Sequence, residues 1–373
     1  MVVIIMMQQQ TSSAPASHPI TPPSSTAIRS PTATPAHSQL PSPLSRHLPP
    51  TVDHVLPIGD AGPTIPCPLT RVRISDICPY DGAPTGPYVR AVEALSGSLM
   101  RHNAAVIELG SDDAALLRCG LEASRLYFRS RAQLGVGKGS RGVYMYRAGR
   151  AVEDWDSSPP CMADVFRCMG KAAHVALSAI ARHLRLRSDI FSHLLDDTPL
   201  PANEVSSSVL LATYSNASLQ NGKGAIGGGK PGINGEVEKG LLTLISSDSP
   251  GIQVCDPNGR WYLADCGSAP GDLLLLTGKA LSHATAGLRP AAPYKAAPDY
   301  SSGVNSGGRI SLAFRLMPQG NAILDCSPIA AAGHVIPQSY VPISVSQFMD
   351  DLSAEEDVLC NRSDSAYVSF IFC

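Results

Sequence analysis

The sequence predicts an α+β protein in which a mainly helical N-terminal half precedes a β half folded as a jelly roll. Three observations carry this. Between about residues 68 and 200 apolar residues recur at helical spacing, and from about Ser207 short β-like runs follow one another between Gly, Pro, Asn and Asp. The first 66 residues, rich in Ser, Pro, Thr and Ala, lack the apolar density that would offset the entropy of ordering them.

The expected organisation is a disordered tail over 1–66, a helical domain over 67–200, a β domain over 201–320 and a C-terminal extension over 321–373. The tail holds no acidic residue before Asp53, which is compatible with an organelle transit peptide, yet only Arg29 and Arg46 supply arginine there. A tail without an address fits equally. The opening MVVIIMM is too short for a secretory core and lacks a basic flank, and no later apolar run approaches a bilayer span. The expectation is a soluble, intracellular, cytoplasmic protein with no membrane partner. Ten cysteines at irregular spacing, with no Cys-x-x-Cys, read as reduced. A net charge of −2 with 16% charged residues offers no basic stripe for a phosphate backbone, which excludes nucleic acid as an expected partner.

Helices are predicted near 88–102, 112–131 and 161–187. In the last, Met162, Val165, Phe166, Met169, Ala173, Ala176, Leu177 and Ile180 share one face. His174 and His183 lie on it nine apart, not at the spacing that presents two metal ligands together. Residues 105–109 and 142–146 read as strands. The β half contains SVLLATYS, GLLTLI, GIQVC, RWYLA, DLLLL and GRISLAFRL, with no helical window expected between Gly240 and Leu316. A short helix is expected near 345–351.

GKGAIGGGKPG, residues 222–232, contains a formal G-x-G-x-x-G at Gly222, Gly224 and Gly227, and Gly224, Gly229 and Lys230 approach a phosphate-binding loop. No helix follows to receive a pyrophosphate, and Pro231 stands where a Ser or Thr hydroxyl should meet magnesium. The stretch reads as a loop.

GLLTLI, GIQV, GRWYLAD, PGDLLLL and GRISLAFRLMP together resemble the catalytic domain of plant-type 2-oxoglutarate and Fe(II)-dependent dioxygenases, related to isopenicillin N synthase. The resemblance implies a double-stranded β-helix whose open end holds iron and 2-oxoglutarate, and it spans about residues 68–320. That family holds iron with His-x-Asp and a distal His. Here Glu236-Val237-Glu238 stands at the first motif and Tyr294, followed by Lys295, at the second. All three metal positions, Glu236, Glu238 and Tyr294, therefore carry substituted ligands. Two carboxylates and a phenol supply oxygen donors only, which suit Mg²⁺, Mn²⁺ or Ca²⁺ better than ferrous iron. Alternatively both glutamates face water beside Lys239.

The resemblance also implies that Arg309 and Ser311, an intact Arg-x-Ser pair, bind the far carboxylate of 2-oxoglutarate with help from Tyr214; Ala212 replaces the usual asparagine nearby. His283 is a candidate rescue ligand, though the family pattern does not place it at the metal.

The expected function is a member of this superfamily that lacks the standard iron ligands and keeps a 2-oxoglutarate or small organic acid pocket, acting as a non-catalytic binding protein. The alternatives are an active dioxygenase with an unusual metal site, built on Glu238 with Glu236 or His283, that hydroxylates or desaturates a small organic substrate, and a protein-interaction scaffold.

Overall fold

The computed structural model describes residues 65–66, 69–79, 83–133, 141–150, 158–215, 235–297 and 308–355. The expected tail lies outside them except at Ile65–Pro66, and the glycine-rich stretch 222–232 lies outside them altogether.

Two sheets and a helical layer make up the fold. The first sheet has seven strands in the order β2 (Arg71–Arg73), β3 (Ala104–Glu108), β10 (Leu273–Thr277), β7 (Leu242–Ser247), β12 (Arg309–Leu316), β5 (Val209–Ser215) and β4 (Arg141–Tyr146). The second has five: β1 (Ile65–Pro66), β9 (Trp261–Leu263), β8 (Ile252–Cys255), β11 (Pro293–Ala296) and β6 (Glu236–Val237). A small ladder pairs β13 (Ile323–Leu324) with β14 (Ile343–Ser344). Helices α2 (Gly86–His102), α3 (Ser111–Gln133) and α4 (Met162–His183) match the three predicted ones, and the C-terminal helix runs over 345–355. Short turns of helix, α1 (Ile74–Ile77), α5 (Lys279–Ala284) and α6 (Ser327–Ala331), complete the set.

The seven-stranded sheet is apolar on both faces, as the runs LLLL and LTLI require. Its outer face, carrying Leu210, Ala212, Leu244, Leu275, Leu312 and Phe314, packs on α2 and α4 through Leu95, Met169, Ala176 and Ile180 in the larger core. Its inner face carries Val106, Ile245, Leu274 and Leu276, which meet Ile252, Val254 and Tyr262 of the five-stranded sheet in a smaller core. Where α3 and α4 cross the sheet, Gly120 lets them approach: a Cβ there would lie 2.8 Å from Val165 and 3.2 Å from Leu312.

Two expectations change. Strands β2, β3 and β4 from the helical half join the same sheet as β5, β7, β10 and β12, and Gly59–Cys373 forms one compact unit, so the boundary expected near residue 200 separates neither two sheets nor two cores. The β half is also interrupted by α5, where the backbone N–H groups of Lys279 and Ala280 bond back to the carbonyls of Glu238 and Lys239. Among the described residues no helix is long and apolar enough to cross a membrane.

Candidate functional site

Strand β12 organises the site. Side chains alternate along a strand, and Ile310, Leu312, Phe314 and Leu316 enter the helix-side core. Arg309, Ser311, Ala313 and Arg315 therefore face the other sheet. Two arginines thus stand six residues apart on one inner row, about 20 Å along the strand.

Arg309, half-buried, is engaged through Nε and one Nη. Its Nε donates to the Ser249 carbonyl at 2.9 Å, and one Nη donates to Ser247 Oγ at 2.7 Å and to Asp265 Oδ2 at 3.2 Å. Asp265 is only 4% exposed. It also accepts the backbone N–H groups of Gly251 and Ile252, each at 3.0 Å. Burial lowers the Arg309 pKa against the pull of Asp265. Gly251 makes room for the guanidinium, since a Cβ there would lie 3.0 Å from its Nε.

Ser311 Oγ is 2.6 Å from Thr213 Oγ1 across the β5–β12 ladder, on the inner face. Tyr214 is one residue further along and so points the other way. It packs against the helix-side core and stacks on Phe128 at 6.0 Å between ring centroids. Gly308, at φ +73°, lies against the ring, where a Cβ would fall 2.5 Å from a ring carbon. Arg309 and Ser311 share a face; Tyr214 lies on the other one, and Thr213 is the β5 residue that bonds Ser311.

The three metal positions divide likewise. Glu238 and Tyr294 meet: the phenol donates to Glu238 Oε1 at 2.6 Å. Arg315 Nε completes the group, 3.0 Å from Oε1 and 2.9 Å from Oε2. Glu238 is 8% exposed, and both of its oxygens are engaged. Burial first, and then the carboxylate, pushes the Tyr294 phenol well above its ordinary range. Burial disfavours the Arg315 charge, but Glu238 and Tyr294 together outweigh it and the net shift is upward. Glu236 pairs in register with Tyr294 at the sheet edge and is exposed. It does not join Glu238. Lys239 bonds Ser353 Oγ at 3.2 Å.

His283 is committed elsewhere. Its Nε2 is 2.8 Å from the Val341 carbonyl, and its ring packs edge-on against Tyr340 and Phe348. Among the described residues no three His, Cys, Asp or Glu side chains form a group able to hold a metal ion.

This arrangement does not fit ferrous iron: the only buried carboxylate of the three positions is neutralised by a guanidinium that a cation would have to displace. One Nη of Arg309 already serves Ser247 and Asp265, so the far carboxylate of 2-oxoglutarate would have to share that donor. What the residues do chemically is close two internal ion pairs, one at each end of the inner row.

Sequence reasoning missed Arg315, Asp265 and Thr213. The first was available, since Arg315 lies at even spacing from Arg309 and must share its face. Asp265 pairs across 44 residues, for which no local signal exists.

No family model matches the sequence, and no curated protein matches it. Solved structures do. A Caulobacter crescentus protein assigned to the 2OG-Fe(II) oxygenase family superposes with a TM-score of 0.56 at 16% identity, covering 77% of this chain and 99% of its own. A full-length Neurospora crassa protein, solved in complex with alpha-KG and thymine, gives 0.54 at 13% identity over 80% and 99%. JOX2, in complex with 2OG, Fe and JA, gives 0.51 at 14% over 76% and 84%. Two facing sheets with a helical layer on one side thus carry the fold of the 2-oxoglutarate/Fe(II) oxygenase structures.

Proposed function

We propose that this protein is a non-catalytic member of the 2-oxoglutarate/Fe(II) oxygenase superfamily with a degenerate metal position and a double-stranded β-helix core. The observation that carries this is the Glu238 carboxylate, held by Tyr294 at 2.6 Å and by Arg315 at 2.9 Å where the resemblance sets a metal ligand. A buried carboxylate bonded in this way is a structural group, because freeing it strands the guanidinium. The Asp265–Arg309 pair acts in the same sense at the carboxylate position. The proposed protein therefore departs from an ordinary pocket protein of its superfamily: the arginine of the Arg-x-Ser pair is kept, but as a structural partner.

The test is anaerobic loading of the purified protein with Fe(II) and 2-oxoglutarate, followed by desalting, elemental analysis and assay of succinate on exposure to O2. The expected result is far less than one iron per chain, no succinate, and no calorimetric signal with 2-oxoglutarate. Stoichiometric iron with succinate release would overturn the reading in favour of an active dioxygenase.

A further inference from the structure

On the side of the molecule formed by α2 and the end of α4 lies a cavity of about 470 Å³, within the usual range of small-molecule sites. One wall is apolar, from Tyr88, Val92 and Leu186. The other carries Arg182, His183 and Arg185.

Behind this wall lies a buried charge. Arg289 is 2% exposed, and no carboxylate pairs with it among the described residues. One Nη donates to the Leu288 carbonyl at 2.7 Å, another reaches His183 Nδ1 at 2.7 Å, and its buried Nε has no partner. A guanidinium only donates, so His183 Nδ1 must accept, and the ring proton sits on Nε2. The imidazole on the cavity wall is thereby fixed as a neutral donor, backed by a buried cation. Burial, then Arg289, lowers the His183 pKa, consistent with that state.

The backbone adds a second sign. Helix α4 ends in a Schellman turn, with Leu186 N–H bonding the Ala181 carbonyl and Arg185 N–H the Arg182 carbonyl. The left-handed position of that turn, normally glycine, is Arg185 at φ +62°. A charged residue held in that conformation places a second exposed guanidinium beside Arg182, and neither has an ion-pair partner among the described residues. Glu93, also on the wall, is the single opposing charge among the lining residues.

We infer that this cavity binds a monoanionic organic acid with a compact apolar body, its carboxylate received by the His183 Nε2–H and the Arg182 and Arg185 guanidiniums, and its body lying on Tyr88, Val92 and Leu186. The buried cation makes the seat selective for an anion, and Glu93 disfavours a second negative charge on the ligand. This site shares no residue with the Glu238 and Arg309 pairs, so it stands or falls independently of the proposed function.

The test titrates the full chain with phenylacetate by calorimetry, using phenylacetamide as the neutral isostere, phenethylamine as the cation and inorganic phosphate as the anion without an apolar body. Saturable binding of phenylacetate alone is expected, weakened at least tenfold in the exposed double variant Arg182→Gln/Arg185→Gln and lost in His183→Phe. Equal binding of phenylacetamide, preference for phenethylamine or for phosphate, no saturation by phenylacetate, or unchanged affinity in the double variant would each overturn the inference. The arginine variants lie on the surface, so the test does not depend on a change at Arg289 that the fold might not survive.

Discussion

The Tyr294 phenol donates to Glu238 Oε1 at 2.6 Å while Arg315 Nε holds the same carboxylate from the adjacent sheet, so a residue of β11 and a residue of β12 are tied through one side chain at the edge of β6. This contact bridges the two sheets where β6 contributes only two paired residues. Glu238→Gln leaves the Arg315 charge without its counterion. The expected loss is about 2–4 kcal/mol in urea unfolding, while Glu238→Leu combined with Arg315→Met recovers most of it. Equal losses in the single and double variants would show that the pair is not coupled.

Asp265→Ala should do two things at once. It removes the Asp265 contact from one Arg309 Nη and leaves the Gly251 and Ile252 N–H groups unsatisfied, which lowers stability by about 2–3 kcal/mol. It also creates an anion seat that the native protein lacks. Acetate or 2-oxoglutarate should then raise the melting temperature of the variant and leave the native protein unchanged. A rise of equal size in both proteins would show that Asp265 does not close the seat.

Two half-buried histidines set a pH dependence. Burial, then Arg101, lowers the His102 pKa, with Arg260 acting in the same direction and Asp256 opposing. Burial, then Arg289, lowers that of His183, with Glu93 opposing. Each folded pKa lies below the ordinary value of 6.5, so the unfolded chain binds more protons as pH falls through that value. Stability contributed by the neutral rings is full above this window and declines below it. Urea midpoints should fall between pH 8 and pH 5, and His102→Asn should remove part of the slope.

Gly278→Ala should be among the most damaging small substitutions. A Cβ there would lie 2.1 Å from the Gly240 carbonyl oxygen and 3.0 Å from that of Glu238, both backbone atoms that cannot rotate away. A loss of at least about 2 kcal/mol is expected from thermal unfolding. The neighbouring Lys279→Ala, half-buried with its side chain 4.0 Å from Glu355, should change little by comparison.

The long elements are legible because their patterns are local. The apolar face from Met162 to Ile180 can only be a buried helix, and GRISLAFRL can only be a strand with two distinct faces. What is not legible depends on distant partners or on parity. PYKA gives little strand signal between prolines, yet β11 forms because β6 and β8 flank it. Three-residue β2 is specified by its parallel neighbour β3 rather than by its own composition. LSHATAG contributes to a helix of six residues, too short for periodicity to register. Tyr214 suits the site by residue type, but a one-residue step along β5 puts it on the other face of the sheet. Arg309 is recognisable as a cation facing inward, whereas its occupant, Asp265, is visible only once β8 and β9 are in place.

The bond between Glu238 and Arg315 also constrains how this sequence can drift. Neither residue can be exchanged alone without stranding its partner, so the two should be kept or replaced together among descendants of this chain. A single substitution at 238 or 315 is therefore the costly one, and a paired apolar replacement the tolerated one.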